Sequence, residues 1–72
     1  MGMDLAEKIE KRMKELGMSR RELALELGVS QQSLSYWFSG IKQPRLDNFI
    51  YLLDILGFEI ELKEVTNEEY DN

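Results

Sequence analysis

Seventy-two residues, 43% of them hydrophobic and 32% charged, suffice for one folded domain with a single core of a few helices and are too few for a large enzyme cleft. With no cysteine and no histidine, the chain lacks a disulfide framework, a thiolate nucleophile, the usual transition-metal ligands and the commonest general base, so it is not expected to be an enzyme or to carry a metal or cofactor. The net charge of -5 is unevenly spread: residues 1–45 hold eight basic against six acidic side chains and residues 46–72 one against eight, so the front of the chain suits a polyanion that the back repels.

Asp4 with Glu7 three residues on reads as a capping pair opening a first helix, whose apolar stripe is Leu5, Ile9, Met13 and Leu16 and whose end is Gly17. Ser19 with Glu22 is a stronger capping box, and the second helix runs to about Leu27 with Leu23, Ala24 and Leu27 inward. Gly28 supplies the positive φ of a sharp exit. Ser30 is the expected N-cap of a short third helix ending at Gly40, and Pro44 forbids its continuation. A fourth helix spans Leu46 to Leu56 and ends at Gly57, with Leu46, Phe49, Ile50, Leu53 and Leu56 as its stripe and Tyr51, Leu52 and Ile55 on a second face. Met13 and Met18 stand at expected core positions, and the other methionines read as gap fillers or start-site residues.

After Gly57 the period changes from 3.6 to 2. Phe58, Ile60 and Leu62 alternate with Glu59, Glu61 and Lys63, the pattern of a half-buried strand over 58–65, and the alternating carboxylates, Glu64 among them, read as its wet face rather than as a metal site. Residues 66–72 are polar and acidic, a frayed tail. No stretch approaches the ~18 apolar residues of a membrane span, and Met1 to Asp4 show no signal-peptide pattern, so a cytoplasmic protein with no membrane partner is the expectation.

The third helix carries the most information. With Leu34 pointing to the core, Trp37 and Phe38 flank it, Gln32 and Tyr36 lie nearly opposite, and Ser33, Ser35 and Ser39 fall between, while Gln31 projects outward at the first turn. A solvated helix face normally carries Lys and Glu, which are better helix formers than serine. Short neutral hydrogen-bonding groups suit a surface that meets something. A glutamine amide offers a donor and an acceptor that match the N6 and N7 edge of adenine, and serine contacts base edges or phosphate. The competing reading is a structural helix that is merely serine-rich.

The stretch "SRRELALELGVSQQSLSYW" resembles the helix-turn-helix of the lambda- and 434-repressor and Cro family, the XRE-type DNA-binding domains, and the surrounding helices extend the resemblance over roughly Leu5 to Leu56. Leu23 and Ala24, Gly28 at the turn, Val29 and Ser30, and Leu34 and Trp37 carry it. The resemblance implies an all-α, four-to-five-helix lambda-repressor-like domain over 1–57 whose second motif helix, Ser30 to Ser39, lies in the major groove. It implies that Gln31 and Gln32 read bases, with Ser33 and Tyr36 adjacent, and that Arg20 contacts phosphate. Charge and position add Arg21, Lys42 and Arg45, with Ser35, as further backbone contacts that position rather than specify. The chain departs from the family at Phe38 and Ser39, where an acidic residue or asparagine is common.

One strand cannot satisfy its own backbone, and no second convincing strand is present, so the short C-terminal β-strand is expected to pair antiparallel with its copy in a homodimer, with Ile55, Phe58, Ile60 and Leu62 at the interface; the competing reading folds it back on its own helices. The segment "LLDILGFEIEL" resembles the C-terminal helix and strand of antitoxin-type regulators of the same family. A repressor that binds double-stranded DNA as a homodimer on a palindromic operator is therefore expected. Its role stays open between an autoregulating antitoxin with a toxin partner and a phage or plasmid Cro-type repressor. From a different class, a protein-interaction module using the acidic tail and the Tyr36 and Trp37 surface remains the alternative.

Overall fold

The computed structural model describes residues 1–62, which form four helices: α1 (Met3–Leu16), α2 (Arg20–Leu27), α3 (Gln31–Ser39) and α4 (Leu46–Ile55). The signals that set these limits are local. Ser19 caps α2 with a full capping box, its side chain accepting from the Glu22 N–H at 3.1 Å while Glu22 Oε1 accepts from the Ser19 N–H at 3.2 Å. Ser30 caps α3 by accepting from the Ser33 N–H at 3.0 Å. Between them the chain turns at Gly28, whose φ of 72° lies in the left-handed region that a side chain with a Cβ rarely occupies. Its N–H donates to the Leu25 carbonyl and that of Val29 to the Ala24 carbonyl, so the turn is closed by backbone bonds while α3 leaves in a new direction.

The start of α1 differs from expectation. Gly2, not Asp4, is the N-cap, and no side chain caps it. Asp4 lies one step inside, in the first turn, where its charge meets the positive end of the helix dipole instead.

α2 sits at the centre, packed on α3 and on α4, and α1 closes over α3. Five side chains are almost wholly buried: Ile9 from α1, Leu23 from α2, Leu34 from α3, and Leu52 and Leu56 from α4 and its end. Each contributes about 1.5–3 kcal/mol by leaving water. Ala6, Met13, Ala24, Leu27 and Trp37 complete the core, with Met18, Val29 and Phe38 half-buried against it.

Two helix faces are rotated from the stripes read in the sequence. On α1 the buried set is Ala6, Ile9 and Met13, whereas Leu5 and Leu16 are exposed, because the contact with α3 runs along the Ile9 side. On α4 the residue placed on a second face, Leu52, is fully buried, while Leu46 is 73% and Ile50 45% exposed. At about 100° per residue, Leu46 and Ile50 stand roughly 240° and 200° round from Leu52, so burying Leu52 where α4 packs on α2 turns them to solvent. Met1 is also core, not merely a start-site residue. Its side chain is buried, and its ammonium donates to Gln43 Oε1 in the loop before α4.

α4 ends where expected. The Gly57 N–H donates to the Asp54 carbonyl and the Phe58 N–H to the Leu53 carbonyl, the paired bonds of a Schellman ending. Arg12 from α1 adds a third contact, its Nε donating to the Leu56 carbonyl at 2.9 Å with the guanidinium 5.3 Å from the Phe58 ring centroid. Beyond it, residues 58–62 form no strand despite their alternating pattern; Phe58 is instead half-buried against the chain's own core. The remainder of the expected strand, 63–65, and the tail, 66–72, lie outside the described residues.

Candidate nucleic-acid interface

α3 is anchored by Leu34 and Trp37, both buried, which fixes the opposite face outward. Gln31, Gln32, Ser35 and Ser39 are exposed on it, and Ser33, Tyr36 and Phe38 are half-buried at its margins. The face carries no charge. Its groups are not independent. The Gln32 Nε2 donates to the Tyr36 hydroxyl oxygen at 2.7 Å, one turn further along the helix. That bond uses one amide hydrogen and leaves the second hydrogen and the carbonyl oxygen of Gln32 free, the pair that a bidentate contact with an adenine edge requires. Ser33 accepts from the Ser30 hydroxyl at 3.0 Å and keeps its own O–H to donate, whereas Ser39 turns back to the Tyr36 carbonyl.

The basic residues divide into two groups. Lys42 leans over the Tyr36 ring, its Nζ 5.2 Å from the centroid, and its backbone N–H donates to the Tyr36 carbonyl, so the loop after α3 is fastened to the same residue that orients Gln32. Arg45, the residue before α4, and Arg21, in the first turn of α2, are exposed and make no ion pair among the described residues. Arg20 stands apart. Its guanidinium forms an ion pair with Glu10 of α1 and lies over the Phe38 ring at 4.6 Å from the centroid. The sequence singled out Arg20 for phosphate but gave no sign of Glu10 or Phe38 as its neighbours, because the three residues come from three helices.

The residues expected at a dimer interface are spread differently. Ile60 and Leu62 are exposed, at 51% and 92%, while Ile55 and Phe58 are half-buried against the chain's own core.

Among the described residues no group of His, Cys, Asp or Glu is placed to hold a metal ion, and no helix is long and apolar enough to cross a membrane. The outward side of α3 is a neutral hydrogen-bonding face with Lys42 over Tyr36 and Arg20 over Phe38 beside it. The helix-turn-helix family model matches residues 9–63, which takes in α2, α3, α4 and most of α1. No curated protein and no solved structure matches the chain.

Proposed function

The chain belongs to the helix-turn-helix family of DNA-binding transcription regulators, the XRE or lambda-repressor-like group, and from that premise we propose that it is a sequence-specific repressor acting as a homodimer on a palindromic operator. The observation that carries this reading is the outward face of α3, where exposed Gln31 and Gln32 stand in the first turn and the Gln32 amide is held by Tyr36 with its base-pairing groups free. α3 enters the major groove by this face. Gln31 and Gln32 read base edges, with Ser33 and Tyr36 beside them, and Arg21, Ser35, Lys42 and Arg45 hold the phosphates on either side, joined by Arg20.

Dimerisation follows from the C-terminal segment. Ile60 and Leu62 are exposed in the single chain, and pairing this segment with its copy about a twofold axis gives both strands a ladder partner and removes those side chains from water. Ile55 and Phe58 support the pair from beneath. Two recognition helices about 34 Å apart then match half-sites one turn of DNA apart, hence the palindrome. The likeness of this segment to antitoxin-type regulators supports an autoregulating antitoxin whose further partner is a toxin.

The test is selection of bound duplexes from a random pool at moderate salt, with the intact chain and with the Gln31→Ala, Gln32→Ala double variant. An enriched palindrome that disappears in the variant supports the reading. A palindrome unaffected by the variant refutes the base-reading assignment. No enrichment with either protein, and no duplex retained at low salt, moves the fold to a protein-interaction role.

A further inference from the structure

We propose that Glu10 is a built-in competitor for the DNA backbone: in the free protein its carboxylate occupies the Arg20 guanidinium, and duplex binding exchanges that carboxylate for a phosphate. The inference rests on the DNA-binding reading above. Arg20 is the first residue of α2 and is held from two sides, by the ion pair with Glu10 on α1 and by the Phe38 ring near the end of α3. A ring under a guanidinium covers one face and leaves its edge donors available, and that planar fork of N–H groups takes a carboxylate or a phosphate in the same way. Phe38 therefore holds Arg20 in place for an anion. Glu10 is the anion present until a duplex arrives.

The exchange is a mild one. The Arg20 and Glu10 side chains are 45% and 40% exposed, so the pair is solvated and contributes little that a phosphate does not replace. While it holds, Arg21 is the cation at the start of α2 left without an ion pair among the described residues, with the Glu22 carboxylate beside it. Backbone attraction is the same for every sequence, whereas contacts from Gln31 and Gln32 are not. Glu10 therefore weakens binding to every duplex alike and sets overall affinity without touching a base, while the preference between sequences stays with Gln31 and Gln32.

The experiment is a cycle of Glu10→Gln, Arg20→Ala and the double variant, each titrated with the selected operator and with a random duplex by fluorescence anisotropy over a series of salt concentrations, after thermal unfolding has shown that each variant folds. Glu10→Ala, carried through in parallel, repeats the measurement with a different replacement. Glu10→Gln is expected to tighten both duplexes by about two- to fivefold, the range of an exposed ion pair. The slope of log affinity against log salt is expected to stay the same, since Arg20 meets the phosphate in both proteins, and Arg20→Ala is expected to flatten it by about 0.9 in either background. In the Arg20→Ala background Glu10→Gln is expected to bring no gain in affinity. An unchanged affinity in Glu10→Gln overturns the proposal, as does a slope that Arg20→Ala leaves unaltered, and so does an equal gain with and without Arg20, which reports only the loss of one negative charge. If the wild-type chain retains no duplex at low salt, the DNA reading falls and this inference with it. If it retains duplex with an affinity indifferent to Glu10, only this inference falls.

Discussion

Replacing Tyr36 by phenylalanine deletes one oxygen from the surface of α3 and leaves the ring that packs there and meets Lys42. The oxygen lost is the acceptor for Gln32 Nε2, at 2.7 Å and one helical turn away. A hydrogen bond of this kind contributes about 0.5–1.5 kcal/mol net, and ordering a free glutamine side chain when it binds costs a similar amount. Tyr36→Phe is therefore expected to lower the preference for operator over random duplex by about 1 kcal/mol, or about fivefold. Gln32→Ala, which removes the base contact itself, is expected to cost about 1–3 kcal/mol. Competition binding with the two duplexes measures both. Thermal unfolding of Tyr36→Phe should stay within about 0.5 kcal/mol of the parent, since no core side chain changes. The decisive arm is the double variant. With Gln32 already alanine there is nothing left for the hydroxyl to orient, so adding Tyr36→Phe should change nothing further. An undiminished preference in the single variant refutes the orienting role, and the same loss in both backgrounds makes Tyr36 a direct contact instead.

Two further substitutions test the packing and the assembly. Leu52→Ala, at a fully buried position on the contact between α4 and α2, should destabilise the chain by about 2–5 kcal/mol in urea unfolding, whereas Leu46→Ala, at 73% exposure, should stay within about 0.5 kcal/mol; similar losses at the two positions contradict the orientation of α4. Ile60→Lys places a charge where the proposed strand pair buries an apolar side chain, so sedimentation should show a folded monomer, and an unaltered dimer mass removes strand pairing as the source of assembly.

The candidate site was legible to an uneven degree. Leu34 and Trp37 alone orient α3, and once that helix is granted, the outward position of Gln31, Gln32 and Ser35 follows from its period. The bond from Gln32 to Tyr36 is also implicit in the spacing, as i and i+4 residues lie on one face. Lys42 over Tyr36 and Arg20 between Glu10 and Phe38 are different, since each brings together residues whose separation in the chain says nothing about their distance.

The same division runs through the fold. By itself the sequence determined where α2 and α3 begin and where α1, α2 and α3 end, since a serine cap, a capping box or a glycine at positive φ satisfies backbone groups within a few residues of itself. It also determined that α3 has a neutral polar side. Only the tertiary structure decided that Ala6 rather than Leu5 faces the core, that Leu52 rather than Leu46 is buried on α4, and that Met1 closes the core beside Gln43. α4 is apolar on more than one face, and a helix of that kind has no preferred rotation until a neighbour supplies one. α2 supplies it here: α4 packs on that helix with Leu52 buried, which leaves Leu46 and Ile50 to the solvent.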